Sequence, residues 1–213
     1  MFLCRKSFSA MLKYTEDLWL KNVDRLSEID SRFGDGDHGI TIGKIARAMG
    51  ECAENWKDES FRDLILCMSE KILGISGGSA GPLYGTLTGG LALPLSDEKE
   101  IDGELLKKMF QGCHTEMTAI TKARVGDKTM MDALIPAVEA AVASSGDIPE
   151  ILATAAQAAA QGAAGTEKIA SKFGRARSYG DKTIGTPDAG AVSTSLLFQG
   201  LYEGLVNRQK NQG

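Results

Sequence analysis

The sequence predicts an all-α fold, and three observations support this prediction. Apolar residues recur at steps of three and four over most of the chain, which is the spacing of an amphipathic helix. No segment alternates β-branched and polar residues for long enough to form a convincing strand, and no βαβ unit can be drawn. Glycine accounts for 25 of the 213 residues and gathers at 34–43, 74–90 and 174–190, with Gly126 between them. Such clusters indicate tight loops between helices.

Eight helices are predicted in chain order. The first contains Leu12 and Leu18 and then places Leu20, Val23, Leu26 and Ile29 at three-residue steps. The seventh has Pro149 near its first turn and continues as an alanine-rich segment that favours close packing. The predicted helices span residues 8–29, 39–55, 59–74, 79–93, 102–122, 128–144, 149–172 and 188–208.

Short connections make antiparallel neighbours the expected arrangement, hence an eight-helix up-and-down bundle or helical barrel. Alternate loops of such a fold emerge at the same end. The loops at 30–38, 74–81, 122–128 and 173–188 follow the first, third, fifth and seventh helices, so we expect them to meet at one end. The chain length favours one domain, over residues 1–213, or at most two small ones.

Composition excludes several functional classes. The net charge of −4 and the pI near 5.3 provide no basic surface for a nucleic-acid backbone, so no nucleic-acid partner is expected. No apolar stretch is long enough for a membrane span, and Arg5 and Lys6 interrupt the start of the chain, which argues against a cleaved signal peptide. The four cysteines form no C-x-x-C pair and no zinc spacing, which indicates a reduced, cytoplasmic protein.

The acidic loop, residues 30–39, contains three carboxylates in an eight-residue stretch: Asp30, Asp35 and Asp37. Carboxylates so close together repel one another unless a cation holds them, and Mg²⁺ suits such a set of oxygen ligands. The loop opens into a helix at Gly39, where free N–H groups favour an anion such as a phosphate. The alternative is an N-capping Asp37 in a solvated acidic turn. An EF-hand is excluded, because its ligand register is missing.

Two further loops enter helices. The glycine loop, residues 76–85, offers backbone amides and serine hydroxyls to a phosphate, although glycines at a helix start also serve close packing. It is not a P-loop, because the required glycine and lysine spacing is absent. In the turn at 126–130, Asp127 or Thr129 could be a plain helix cap, and Met130 and Met131 could contact a base or belong to the core.

The basic loop, residues 172–190, carries four cations in an otherwise acidic chain. Long loops of this kind are usually functional or disordered. Arg175 is the residue expected to contact phosphate oxygens, because a guanidinium fork matches them. His38 could act as a general base or could only orient the acidic loop, and the sequence leaves both possibilities open.

Four ordered motifs, GDGDHG, GGSAGPLYG, GDKTM and GRA with a following PD-x-GA, resemble the nucleotide-binding L subunit (DhaL family) of bacterial dihydroxyacetone kinases over essentially the whole chain. The resemblance implies an eight-helix barrel with the nucleotide at one end. It also implies that Asp30, Asp35 and Asp37 hold two Mg²⁺ ions against the phosphates of ADP or ATP, and that Arg175 and His38 are the catalytic residues. The implied nucleotide pocket consists of His38, Gly39, Ile40, Thr41, Ser79, Ala80, Thr121, Met130, Arg175, Asp188, Ala189 and Gly190.

The resemblance further implies phosphoryl transfer to dihydroxyacetone, or to a related short ketose, bound on a separate K subunit. Of the two donors known for such subunits, we expect ADP as a retained cofactor that a phosphohistidine carrier protein rephosphorylates, because free-standing L subunits more often accompany that route. The alternatives are direct use of ATP, a nucleotide-sensing module that docks on a regulator, and the kinase domain of a fatty-acid kinase. Departures from the family pattern at Thr121, 177–187 and Ala189 could mean another ketose or another partner.

Overall fold

The computed structural model describes residues 1–57 and 59–210. These residues form nine α-helices and two 3₁₀ segments, and no β-strand occurs among them, which confirms the all-α class. The helices are α1 (Arg5–Lys21), α2 (Val23–Ser31), α3 (His38–Asn55), α4 (Phe61–Leu73), α5 (Ala80–Leu91), α6 (Gly103–Ile120), α7 (Met131–Ala143), α8 (Ile148–Gly165) and α9 (Ala189–Lys210). The 3₁₀ segments are Thr166–Lys168 and Arg175–Thr183.

The predicted first helix, 8–29, is wrong as a single element. It is broken at Asn22, whose φ of −108° and ψ of 7° are not helical. The Asn22 side chain donates to the carbonyl of Leu18 at 2.8 Å, and its backbone N–H donates to Trp19. Asparagine competes in this way for the backbone partners of a helix. The break separates α2, which ends at the acidic loop, from α1.

Two other predicted helices are too long. The predicted helix at 128–144 begins only at Met131, because Lys128 has a φ of +61° that no α-helix accepts. The predicted helix at 149–172 ends at Gly165, and Thr166 then bonds back to the carbonyl of Ala163 through its hydroxyl. At the start of this helix the structure agrees with the prediction, since Pro149 lies in the first turn and Asp147 caps it.

One hydrophobic core cluster includes residues of all nine α-helices. Helices that follow one another from α3 to α9 pack together, α1 packs against α3, and α9 packs back against α1, so the order of contacts is cyclic. The core supports a single domain; that domain over 1–213 and the up-and-down barrel stay predictions. None of the described helices has the length and apolar character needed to cross a membrane.

Glycines let two of the helices approach very closely. A Cβ atom at Gly90 of α5 would lie 2.6 Å from the backbone of Gly112 and Cys113 in α6. No side chain fits at that distance, so the two backbones touch directly. The closeness of α5 and α6 fixes the direction in which α5 leaves the glycine loop.

Candidate functional site

An open cavity of about 600 Å³ lies where four loops meet. Its wall consists of residues from the acidic loop, the start of α5, the connection between α6 and α7, the basic loop and the start of α9. The structure therefore brings together the four loops that the sequence placed at one end. The wall combines the three carboxylates and Arg175 with apolar side chains such as Leu83 and Met117.

The carboxylate triad, Asp30, Asp35 and Asp37, is a compact group of oxygen ligands. One carboxylate oxygen of each residue lies within 4.8 Å of those of the other two. Asp30, in the last turn of α2, accepts the N–H of Gly36 at 2.9 Å and thereby folds the loop back. Burial and the charges of Asp35 and Asp30 raise the pKa of Asp37. A divalent cation would relieve the repulsion between these carboxylates. The donor set fits Mg²⁺.

The alternative assignment of Asp37, as an N-cap, is not what the structure shows. Asp37 lies at the N-cap position of α3, but its side chain makes no capping hydrogen bond. The carboxylate instead faces the glycine loop. A Cβ at Gly78 would lie 3.4 Å from Asp37 Oδ1, and both Gly77 and Gly78 have positive φ, at +132° and +51°. Glycine is required here so that the backbone can pass close to the carboxylates.

The glycine loop combines the two roles that the sequence left open. Ser79 and Ala80 line the cavity at the N-terminus of α5, where Ser79 makes no capping hydrogen bond. Farther into the helix, a Cβ at Gly81 would lie 2.6 Å from the carbonyl of Ile75. The loop therefore presents its first residues to the cavity, and its later glycines serve close packing.

His38 is half-buried on the cavity wall and belongs to a hydrogen-bond network that extends into the core. Its Nε2 lies 2.9 Å from Ser193 Oγ, which in turn lies 2.7 Å from the hydroxyl of Tyr84. Tyr84 also contacts Thr194, and the indole of Trp19 donates to the carbonyl of Ser193 at 2.9 Å. Burial lowers the pKa of His38, which keeps the ring neutral. These contacts favour the orienting role for His38.

We call residues 170–186 the lid. Arg175 in the lid forms an ion pair with Asp35 of the triad, which holds the pKa of Asp35 below its usual range. The rings of Phe33 and Tyr179 make a second contact, with centroids 5.2 Å apart. The lid therefore touches the acidic loop through one ionic and one aromatic contact.

The remaining predicted pocket residues on the cavity wall are Thr121, Met130 and residues 188–190. Asp188 is half-buried and caps α9 by accepting the N–H of Ala191 at 2.8 Å. Burial raises the pKa of Asp188 to about 7. Met130 is buried beside Gly190. A Cβ added at Gly190 would lie 3.4 Å from the Cβ of Met130.

Three predicted pocket residues do not line the cavity. Ile40 is 55% exposed on the outer side of α3. Gly39 is packed against α2, where a Cβ would lie 2.5 Å from Ser27 Oγ. Thr41 is buried and contacts the glycine loop near Gly77. Gly39 and Thr41 are therefore packed inside the protein and Ile40 faces solvent, so none of the three lies in the wall.

Sequence reasoning missed Lys128, which is buried on the cavity wall. It is the only non-glycine residue with positive φ in the described part of the chain. Of the two caps proposed for this turn, Asp127 accepts the N–H of Arg124 instead, whereas Thr129 Oγ1 accepts the N–H of Met131, the first residue of α7, at 3.2 Å. The carboxylate of Asp132 in turn accepts the N–H groups of Gly126 and Thr129, at 2.7 and 2.8 Å. The signal was available, because a lysine directly before a buried helix requires partners for its charge.

A family model described as DAK2 domain matches residues 32–203. The chain belongs to the DAK2 domain family. The match also confirms the resemblance to the DhaL family. An ADP-binding subunit DhaL of a PEP-dependent dihydroxyacetone kinase from Listeria innocua is 31% identical over 190 residues, covering 87% of this chain and 88% of the relative. The corresponding subunit from Escherichia coli is 28% identical, covering 93% of this chain and 96% of the relative.

Other relatives of this DAK2 domain are much longer. An L-erythrulose kinase from Pectobacterium atrosepticum is 34% identical over 195 residues, which cover 89% of this chain and 33% of the relative. This chain thus spans about a third of that kinase. The crystal structure of the dihydroxyacetone kinase of C. freundii superposes with a TM-score of 0.71 at 24% identity, over 92% of this chain and 34% of that one. The DAK2 domain therefore shares the fold of part of that kinase.

Proposed function

We propose that this DAK2 domain binds Mg²⁺ together with ADP or ATP in the cavity and transfers a phosphoryl group to a short ketose. The ketose, dihydroxyacetone or a close relative, is held on a separate K subunit. The observation that carries the proposal is the carboxylate triad at the wall of a 600 Å³ cavity, with Arg175 paired to it. Anionic metal ligands beside a mobile cation suit phosphoryl transfer, which needs mainly positioning and charge neutralisation.

In this proposal Asp30, Asp35 and Asp37 hold two Mg²⁺ ions, which neutralise the charge of the phosphates. Ser79 and Ala80 face the phosphates from the start of α5, whose N-terminus favours an anion. Gly39, Ile40 and Thr41 support the triad as the first turns of α3. His38 orients the acidic loop through its contact with Ser193.

The nucleoside part occupies the more apolar side of the cavity. Met130, Thr121 and residues 188–190 line that side, together with Leu83 and Met117. Met130 is the residue we assign to the base, because a thioether adapts its shape to a flat ring. Asp188 and Gly190 hold the start of α9 in place beside it.

Arg175 acts as the mobile cation of the site. Without a ligand it neutralises Asp35, and it is 64% exposed, so no packing holds it there. If the triad held Mg²⁺, Asp35 would no longer need the guanidinium for neutralisation, and the fork of Arg175 would match the oxygens of a phosphoryl group. Charge that develops on that group during transfer is then stabilised from the lid side.

For the donor we propose retained ADP that a phosphohistidine carrier protein rephosphorylates. Two relatives that this chain matches over most of their length are named ADP-binding subunits of PEP-dependent kinases, which supports this choice. A lid that contacts the acidic loop through Tyr179 and Phe33, with Arg175 on the phosphates, also favours slow release of a nucleotide. The second candidate is an ATP-dependent kinase acting on erythrulose, which the 34% identity to an L-erythrulose kinase favours.

One experiment separates these candidates. The domain is combined with a K subunit and offered dihydroxyacetone or erythrulose, with either ATP or a phosphorylated carrier protein as donor. We expect transfer from the carrier in the presence of ADP. Transfer from ATP alone would favour the second candidate, and no transfer to either ketose from either donor would contradict the kinase proposal and favour a nucleotide-sensing module.

A further inference from the structure

The ammonium group of Lys128 lies in a cage of backbone carbonyls. Its Nζ is 2.8 Å from the carbonyl oxygen of Thr166, 3.0 Å from that of Ile169, 2.7 Å from that of Thr183 and 2.6 Å from that of Thr186. A lysine ammonium has three protons, so four acceptors use all of its donors. Lys128 is therefore committed to the protein backbone and has no free N–H for a phosphate.

Two of the four carbonyls lie just before the lid and two lie at its far end. Thr166 and Ile169 precede the lid segment, whereas Thr183 and Thr186 lie at its far end. One buried charge thus joins two pieces of chain that are separated by the whole lid. Truncating the side chain would remove a charged donor from all four carbonyls. Those of Thr166 and Thr183 would keep only long backbone bonds, from Ile169 at 3.5 Å and from Thr186 at 3.4 Å, so the loss is costly.

Two further hydrogen bonds join the same two ends. The N–H of Ser171 donates to Thr183 Oγ1 at 2.9 Å, and the N–H of Gly185 donates to the carbonyl of Glu167 at 2.7 Å. Between these contacts the lid has space around its backbone, since a Cβ at Gly174 or Gly180 would meet nothing within 4 Å. The ends of the lid are fastened while its middle, with Arg175, is loosely packed.

The backbone conformation of Lys128 also indicates a constrained residue. Its φ of +61° is a left-handed conformation that glycine or asparagine adopts more readily than lysine. Such strain persists only where the surroundings fix the residue. Here the carbonyl cage provides that constraint, because it holds the ammonium at the end of the lysine side chain. A shorter side chain at this position would not reach the four carbonyls.

We propose that Lys128 is a positioning residue that clamps both ends of the lid and thereby places Arg175 beside the carboxylate triad. The consequence for catalysis rests on the proposed function, because it assumes that Arg175 acts on the phosphoryl group. The clamp itself does not rest on that function and is tested by readouts that involve no phosphoryl transfer.

The first test is limited proteolysis of Lys128→Met, with Lys168→Met as control. Lys168 is an exposed lysine between Thr166 and Ile169, so the control makes the same substitution near the lid but at a side chain outside the cage. Trypsin sites at Arg175, Arg177 and Lys182 lie within the lid. We expect cleavage at these sites to be about tenfold faster in Lys128→Met, with cleavage elsewhere unchanged, because local opening controls proteolysis. Unchanged lid cleavage, or an equal increase at sites throughout the chain, would overturn the clamp.

The second test is chemical rescue of Lys128→Ala. Propylammonium has the three carbons and the ammonium that this substitution removes, whereas tetramethylammonium has the charge but no N–H donor. We expect propylammonium to restore the resistance of the lid to trypsin and tetramethylammonium to have no effect. Equal protection by both ions, or by neither, would show that hydrogen bonding to the cage is not what fastens the lid.

Kinetics then separate positioning from stability. In Lys128→Met we expect the rate of transfer to fall about tenfold while the affinity for Mg–ADP changes less than about twofold, since a misplaced Arg175 affects mainly the transition state. Equal losses in both would contradict the positioning role. If the wild type transfers nothing, the proposed function fails, yet the proteolysis and rescue results still decide on the clamp.

If neither variant folds, hydrogen exchange of the wild type tests whether the two ends of the lid are fastened. The amides of Ser171 and Gly185, at the clamped ends, should exchange at least as slowly as the most protected amides of α8, and those at 175–181 much faster. Exchange at the ends as fast as in the middle of the lid would overturn the proposal.

Discussion

Arg175 and Asp35 form an ion pair across the mouth of the cavity, between the lid and the acidic loop. Both side chains are substantially exposed, so the pair adds little to the stability of the fold. Under the proposed function, a metal ion that bound Asp35 would compete with the guanidinium for this carboxylate, and the freed guanidinium would need a new anion. We therefore propose that metal binding is coupled to the contact between Arg175 and a phosphate.

Nucleotide binding should require Mg²⁺ and the charge of Asp35. Without metal, the triad repels the phosphates of ADP. We expect Asp35→Asn to weaken Mg–ADP binding about 10- to 100-fold, at least as much as the loss of a residue that only supports a metal ligand. Titration calorimetry with and without EDTA measures both effects.

The control for that substitution is Asp181→Asn, an identical change at an exposed lid residue outside the cavity wall. It should bind Mg–ADP like the wild type. Undiminished ADP affinity of the wild type in EDTA would contradict the metal assignment.

Arg175→Ala should lose far more in transfer rate than in nucleotide affinity. A charge that completes its contacts only as the phosphoryl group moves lowers the barrier without tightening ground-state binding, and a single such cation is worth about 10³-fold or more in related transfers. Single-turnover kinetics and equilibrium binding of Mg–ADP give the two numbers. Arg177→Ala, two residues along the same exposed segment, is the matched control. A loss confined to affinity would refute this role for Arg175.

Bound ADP should survive purification. The domain is prepared without added nucleotide, dialysed extensively in the presence of Mg²⁺, and assayed for ADP after denaturation. We expect about one ADP per chain, because release must break charge-assisted contacts that closure has removed from water. Nucleotide-free protein that is active with ATP and a K subunit would instead support direct use of ATP.

The contact between α5 and α6 should tolerate no side chain. We expect Gly90→Ala to destabilise the fold by about 1–3 kcal/mol, since its Cβ would overlap the backbone of α6. For a chain of this size that corresponds to a decrease in Tm of roughly 2–4 °C per kcal/mol. Gly165→Ala is the control: a Cβ there meets nothing within 4 Å, and thermal unfolding should show no loss of stability. Equal Tm values for the two variants would contradict the steric argument.

The sequence was sufficient to predict the all-α class, most helix bounds and the loops of the cavity. Local signals decide these features: apolar periodicity for the helices, glycine clusters for the loops, and spacing for the triad. The break at Asn22 was missed because the apolar stripe continues through it, and only the side-chain bond to Leu18 shows that the helix ends there.

The interactions of Lys128 and His38 could not be predicted, for a different reason. Lys128 contacts carbonyls 38 to 58 residues away along the chain, and His38 contacts Ser193 across 155 residues. No local pattern contains such pairs, because they exist only once α7, α9 and the lid are assembled. The positions of Gly39, Ile40 and Thr41 outside the cavity wall likewise depend on how α3 packs against α2.

Trp19 is an intrinsic fluorophore, and the hydrogen bond from its indole to the carbonyl of Ser193 connects it to the network that contains His38. The ring of Trp19 also packs edge-on against Tyr84, so its emission responds to changes in the polar network that includes His38. Trp56, the other of the two tryptophans, packs instead against Phe8 and Phe61. Spectra of a Trp56→Phe protein would therefore follow occupation of the cavity in real time, without any attached dye.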